Sequence, residues 1–523
     1  MSMKNVPIQS PEQQCVMVGN RRVSLLEICA LSRGLCPAFN QDPAFRQRID
    51  QGAQILERAI AEGRPIYGVN TGYGDSCTVN VPADALYELP VHLVHYHGCG
   101  LGRHFDEQTA SAIVATRLVS LACGFSGVRF EVLQQLQSLL RYRIIPLIPE
   151  EGSVGASGDL TPLSYVAAVL MGERDVYYDQ GICRAKHALE QVGLPPLILH
   201  PKEGLALMNG TSVMTALACL AWERAEYLSR LASRITAMAS LAMDGNREHF
   251  CPGLFAAKPH AGSQRVAEWI YSDLDRGPKE KETGVQDRYS VRCAPHVIGV
   301  MVDALAWMRR DIENELNSAN DNPIIDPDTG AVHHGGHFYG GHIAFVCDCL
   351  KTAVANMADL LDRQLALLVD PRFNSVLPRN LSGARPGRAF LNHGFKAVQI
   401  AVSAWTAEAL KLTLPASIFS RSTECHNQDK VSMGSIAARD ALRVLELTEQ
   451  VAAACLAATA QALEIRSRQE IHSTLRVNHV IHAIQTDVLA LCPFVEEDRP
   501  LESELRAICA AIRRKQWNLY PAP

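Results

Sequence analysis

Apolar residues recur at intervals of three and four along most of this chain of 523 residues, the spacing that collects them on one face of a helix. Phe45, Ile49, Ala53, Leu56 and Ile60 mark such a face between Pro43 and Glu62. Val297, Met301, Leu305, Met308, Ile312 and Leu316 mark a longer one, stopped by the polar run from Asn317 to Pro323. Val346, Leu350, Val354, Met357, Leu361, Leu365 and Leu368 mark another, ending at Asp370-Pro371. Long helices are also predicted over 390–412 and 434–467. Stripes of this kind are most simply core, so the pattern predicts an elongated helical bundle. Strand signals are few. Asp175 to Arg184 predicts a hairpin turning at Asp179-Gln180-Gly181, and Arg372 to Arg388, rich in Pro, Gly, Asn and Arg, is the clearest interior loop.

Composition agrees. Hydrophobic residues make up 47% and aromatic residues only 6%, an aliphatic, Ala-rich balance that suits packed helices. The expected fold is mainly α, an elongated central helical bundle with a smaller mixed α/β N-terminal region. The expected division is 1–215 and 216–523. A net charge of −5 gives no global attraction to nucleic acid or an anionic membrane. No apolar run follows Lys4, and no uninterrupted apolar stretch reaches a membrane span. A cytoplasmic protein is therefore expected, with no nucleic-acid or membrane partner. The 16 cysteines are scattered without paired C-x-x-C modules, as befits small buried hydrophobes in a reducing compartment.

The unusual punctuation lies at Gly152-Ser153-Val154-Gly155-Ala156-Ser157-Gly158-Asp159. Small residues let the backbone approach itself, and within Ala156-Ser157-Gly158 that brings the Gly158 nitrogen within reach of the Ala156 carbonyl carbon. Closure with loss of two waters, one from Ser157, leaves a conjugated imidazolone with an exposed methylidene. The plainer reading is a tight turn with Asp159 and Thr161 capping the next helix. Elsewhere, Ile66 to Asp75 is a Gly-punctuated loop carrying Tyr67 and Tyr73, either a mobile lid or an ordered turn. His92, His95, Tyr96 and His97 precede another glycine cluster; their spacing does not match the H-E-x-x-H metal pattern. Asn209, the run from Val285 to Pro295, Asn320 to Pro323, and Asn427-Gln428-Asp429 interrupt the helices as further polar, special-geometry stretches.

Taken in order, these motifs resemble the ammonia-lyase and aminomutase family acting on histidine, phenylalanine and tyrosine, and the resemblance runs from the Tyr67 loop to Gln428. It implies that Ala156, Ser157 and Gly158 mature autocatalytically to 4-methylidene-imidazol-5-one, with no metal or nucleotide. It further implies Tyr67 as the lid base, Tyr289 as a second catalytic tyrosine, and Arg292 as ligand of the substrate carboxylate. Asn209, Gln286, Asn322 and Gln428 match groups around cofactor and substrate, and Phe338 matches a pocket wall. The family also implies a homotetramer with shared active sites and a small-molecule aromatic amino acid as substrate.

Two departures bear on pocket polarity: His337 stands where the family usually has asparagine, and His92 replaces another common asparagine. Substrate choice in the family follows the pair at Tyr96-His97, which matches no usual combination. Histidine lyases show Ser-His there and a glutamate at Gln428. A buried His97 facing an unsubstituted phenyl ring would lose its hydrogen-bond partner. The expected reaction is therefore elimination of ammonia from L-tyrosine to p-coumarate, as in bacterial tyrosine ammonia-lyases, with some acceptance of phenylalanine. The alternatives are an aromatic 2,3-aminomutase, a histidine ammonia-lyase, or a catalytically retired helical scaffold.

Overall fold

The computed structural model describes residues 15–274, 285–468 and 477–521. It is mainly α. The predicted stripes lie on the helices Pro43–Ala61, Ala294–Leu316, Gly341–Leu368 and Gly434–Arg468, joined by Ser212–Ala242. The seven apolar residues marked between Val346 and Leu368 are all buried. The helix expected over 390–412 is Lys396–Lys411. Its start is delayed because Gly394 takes a left-handed conformation, φ +50°, while the His393 and Gly394 amides donate to the Asp498 carboxylate at 2.7 and 2.8 Å.

The chain gathers into two compact units. One comprises Met1–Leu220, Arg309–Cys347 and Pro415–Arg439; the other comprises Ala221–Met308, Asp348–Leu414 and Asp440–Pro523. The first holds all the strands found among the described residues. Val16–Val18 pairs in parallel with Pro37–Phe39, Leu101–His104 pairs with Pro149–Glu151, and Ile324–Ile325 pairs with Val332–His333. The predicted hairpin is Asp175–Tyr178 against Gly181–Arg184, with Ile145–Pro146 as a third strand. Its turn residues, Asp179 and Gln180, both have positive φ, 49° and 63°, the two-residue geometry that matches strand twist.

Within the second unit, helix contacts are aliphatic with isolated polar ties: the Trp222 indole donates to the Leu305 carbonyl at 2.9 Å, and Arg224 pairs with Glu449 at 2.8 Å. Among the described residues one stretch, Tyr289–Leu316, is long and apolar enough to cross a membrane by length and composition; half of its most apolar window is buried inside the protein, as in a core helix.

Candidate active site

The small-residue turn is gripped from two sides. Gly155 and Gly158 have φ of +66° and +71°, a region that favours glycine. On one side, the Ser432 hydroxyl donates to the Gly155 carbonyl at 3.1 Å and the Met433 amide to the Val154 carbonyl at 3.0 Å. On the other, Gly158 bridges Gly210, and the Asp159 amide donates to the Gly210 carbonyl at 2.8 Å. A Cβ at Gly158 would collide with that carbonyl.

Asp159 differs from its expected role. It precedes the Leu160–Leu170 helix, yet its side chain makes no cap there. The carboxylate instead accepts from the Val213 and Met214 amides at 3.1 and 3.0 Å, capping the Ser212–Ala242 helix. The Ser153 and Ser435 hydroxyls also donate to it. Burial raises its pKa and these bonds oppose the rise. A carboxylate buried this completely locks the turn to a helix distant in sequence.

Beside the turn lies a cavity of about 530 Å³. Six of the residues singled out in the sequence line it: Tyr67, Tyr96, His97, Ser157, Asn209 and Gln428. The Gln428 amide donates to Ser157 Oγ at 3.1 Å, and its carbonyl oxygen accepts from the Thr423 hydroxyl at 2.8 Å. Asn209 is buried with Oδ1 unpartnered, an orphan acceptor that costs free energy until a donor arrives.

Tyr67 sits in the glycine loop, where its hydroxyl accepts the Gly74 N–H at 2.8 Å. Burial raises its pKa, the Gly74 bond lowers it, and the nearby Glu424 charge raises it again. Burial also pushes Tyr73 and Tyr96 above the ordinary phenol range.

His97 carries a definite tautomer. Its Nδ1 lies 3.0 Å from the Leu93 carbonyl oxygen, which only accepts, so Nδ1 bears the proton. Burial depresses its pKa and keeps the ring neutral, leaving Nε2 as an acceptor. The Tyr96 ring lies beside it, centroids 4.4 Å apart.

The cavity includes three polar residues not singled out as site residues from sequence, Tyr73, Ser76 and Glu424. Tyr73 was visible as the second tyrosine of the loop. Glu424 has a subtler signal: Thr423 and Gln428 pair across a tight loop, with Glu424, Cys425 and His426 all at positive φ, so Glu424 is carried onto the wall with Gln428. Its two oxygens each lie 3.0 Å from the Asp75 amide, tying the Tyr67 loop down.

Seven expected site residues do not line this cavity: Ala156 and Gly158, which lie in the turn on either side of Ser157, and five others farther along the chain. Asn322 accepts the Gly335 amide at 2.8 Å, and Phe338 is half-buried in the same unit. Gln286, Tyr289 and Arg292 belong to the second unit. There Tyr289 is 72% exposed, with the Arg292 guanidinium 4.7 Å from its ring centre. The histidine-rich run from His333 to His342 is spread out: His333 sits in a strand pair, and His334 accepts the Tyr67 amide at 3.4 Å. No group of three His, Cys, Asp or Glu placed to hold a metal is found among the described residues.

The residues present fit an imidazolone at the turn. In the triplet expected as precursor, Ala156-Ser157-Gly158, Gly158 is pressed onto Gly210 where no Cβ fits, the Gln428 amide donates to Ser157 Oγ, and Asn209, with its orphan oxygen, lines the cavity beside them.

Comparison with known proteins places the chain in a family. A family model for aromatic amino acid lyases matches residues 23–486. Histidine ammonia-lyase of Bacillus velezensis is 35% identical over 474 residues, 90% of each chain. The crystal structure of a tyrosine aminomutase from Streptomyces globisporus superposes with a TM-score of 0.88 at 32% identity, covering 96% of this chain and 97% of that one. Histidine ammonia-lyase from Trypanosoma cruzi does so with a TM-score of 0.86 at 29% identity, covering 96% and 94%. The match spans the helices and the glycine-gripped turn alike, and this chain belongs to the aromatic amino acid lyase family of carbon–nitrogen lyases.

Proposed function

We propose that the protein eliminates ammonia from an aromatic α-amino acid whose ring carries a hydrogen-bond donor, using 4-methylidene-imidazol-5-one closed from Ala156, Ser157 and Gly158. The observation that carries this reading is His97, held neutral with Nε2 as acceptor beside the Ser157 turn. An imidazole N–H or a phenol O–H satisfies that atom, and a plain phenyl ring leaves it unpaired.

Histidine is the first choice of substrate. Histidine ammonia-lyases are among the relatives, at 35% identity in one case, and His97 matches the histidine of the Ser-His pair. Tyrosine, giving p-coumarate, is the second reading. It is favoured by Gln428, an uncharged amide where histidine lyases carry glutamate, and by the likeness to a tyrosine aminomutase. Phenylalanine ranks below both.

The imidazolone supplies an electrophile that makes the amino group a better leaving group. The chain's own residues do the rest. Tyr67 takes the β-proton, its oxygen steadied by the Gly74 N–H. Glu424 holds the loop that carries Tyr67 and offers a negative charge to the substrate ammonium. Asn209 and Gln428 orient the reacting end. Tyr289, Arg292, Gln286, Asn322 and Phe338 are assigned to active sites shared within a homotetramer, Arg292 as the fork for the carboxylate; the exposure of Tyr289 supports a role at a subunit boundary. Residues 1–215 carry the lid and precursor, and 216–523 the long helices. The scatter of the 16 cysteines without C-x-x-C modules is in keeping with the cytoplasm.

The test is incubation of purified protein with histidine, tyrosine and phenylalanine separately, following ammonia and the ultraviolet absorbance of the unsaturated acid. Urocanate is expected. Release of p-coumarate instead selects the second reading, a β-amino acid selects an aminomutase, and inactivity on all three refutes the proposal.

A further inference from the structure

Gly210, the residue pressed against Gly158, is backed on its far side by a side chain to which the proposed reaction assigns nothing. Arg117, on the Glu107–Leu121 helix, is fully buried. Its Nη2 donates to the Ala206 carbonyl. Its Nη1 donates to the Asn320 carbonyl at 3.3 Å and to the Ser212 hydroxyl at 3.5 Å, while Nε has no partner. A Cβ at Gly210 would run into Nη1 and the Asn320 carbonyl, so the guanidinium lies flush against the Gly210 backbone. Gly210 is therefore held between Arg117 and Gly158.

The arrangement is costly for packing alone. Among the described residues no carboxylate is hydrogen-bonded to Arg117; the nearby Asp321 charge favours the guanidinium but is already paired with Lys202, and the direct acceptors are all neutral, so burial carries a desolvation penalty that an aliphatic side chain would avoid. What an aliphatic side chain lacks is a rigid fork of donors. The fork joins three points: the last turn of the Glu203–Met208 helix at Ala206, the start of the Ser212–Ala242 helix at Ser212, and Asn320. Together these bracket Asn209 and Gly210.

We propose that Arg117 is a positioning residue for formation of the imidazolone, pressing Gly210 onto Gly158 so that the Gly158 nitrogen is held against the Ala156 carbonyl carbon. This rests on the cofactor reading above. In the closure, the Gly158 nitrogen bonds to the Ala156 carbon. The former carbonyl oxygen leaves as water with the Gly158 and Ser157 amide hydrogens, and the Ser157 hydroxyl leaves as a second water with the Ser157 Cα hydrogen. No oxidant is required.

The experiment is intact-mass spectrometry of the full-length wild type, Ser157→Ala, Arg117→Lys and Arg117→Met, with circular dichroism and thermal melting on each. Lys keeps the charge without the fork, and Met keeps neither. Wild type is expected to be lighter than its sequence mass by two waters. The Arg117 variants, folded, are expected to retain them in a large share of chains, while kcat per matured chain stays at the wild-type value. Full dehydration of folded Arg117 variants at the wild-type rate overturns the proposal. A wild type that keeps both waters overturns the cofactor reading itself. If neither Arg117 variant folds, Ser212→Ala decides through the time course of dehydration after induction: slower maturation supports the clamp, and an unchanged rate refutes it.

Discussion

Replacing His97 with phenylalanine tests the substrate argument directly. The wild-type ring has one nitrogen committed, Nδ1 to Leu93 at 3.0 Å, and one acceptor free for the substrate. A donor left unpaired against the new phenyl ring costs about 1–3 kcal/mol, which converts to roughly a 5- to 150-fold loss at 1.4 kcal/mol per factor of ten. His97→Phe should therefore lower kcat/KM for histidine and tyrosine by that factor while leaving phenylalanine unchanged or improved. Steady-state kinetics on the three substrates, with melting to confirm folding, measures the swing. The proton linkage adds a second signature. Burial places the His97 pKa below its unfolded value, near about 6.5, so on acidification the unfolded chain binds the proton first. This contribution to stability is complete above the unfolded value and is lost as pH falls towards the folded one. Protonation also turns Nε2 from acceptor to donor, so KM for a donor-bearing ring should rise across the same acid window in wild type and not in the variant. Equal losses for all three substrates, with no change in the acid limb, refute the assigned role of His97.

Glu424→Gln removes a negative charge that raises the Tyr67 pKa, so the Tyr67-dependent limb of the kcat/KM pH profile should move to lower pH; an unmoved limb refutes the coupling. Ser157→Ala should melt like wild type, show its full sequence mass with no water lost, and lose turnover; near-normal turnover would falsify the cofactor assignment. Gly158→Ala forces a left-handed residue, at roughly 1–2 kcal/mol, into contact with the Gly210 carbonyl, and should show lowered melting together with undehydrated mass. Lys202 and Asp321 form a pair at 2.7 Å with both side chains fully buried. Lys202→Met should cost about 3–5 kcal/mol in denaturant unfolding by stranding Asp321, the double variant Lys202→Met with Asp321→Leu should recover most of it, and a loss under about 1 kcal/mol refutes the pairing.

The helices were legible because their cores are aliphatic and their periodicity unbroken: every apolar residue marked from Val346 to Leu368 is buried. Their ends were less so. The Lys396–Lys411 helix starts late because Asp498, more than a hundred residues away, captures two amides, and no local pattern encodes that. The same distinction divides the site. Tyr67, Tyr96, His97, Ser157, Asn209 and Gln428 lie in stretches whose glycines or polar breaks are visible locally. Glu424 reaches the wall only through a tight loop of three residues at positive φ, although none of the three is glycine. Asp159 shows the limit most clearly. Read locally, it is an ordinary cap for the helix that follows it; in the structure its carboxylate caps Ser212–Ala242 instead. Arg117 is likewise the one basic residue in its helix, distinguished only by the three distant acceptors around it. A local cap would leave the Ala156-Ser157-Gly158 turn free to relax, whereas a buried long-range cap on one side and a buried guanidinium behind Gly210 on the other hold it compressed. Turns of small residues are common in proteins; the long-range groups that deny this one its freedom are what make ring closure chemically reachable.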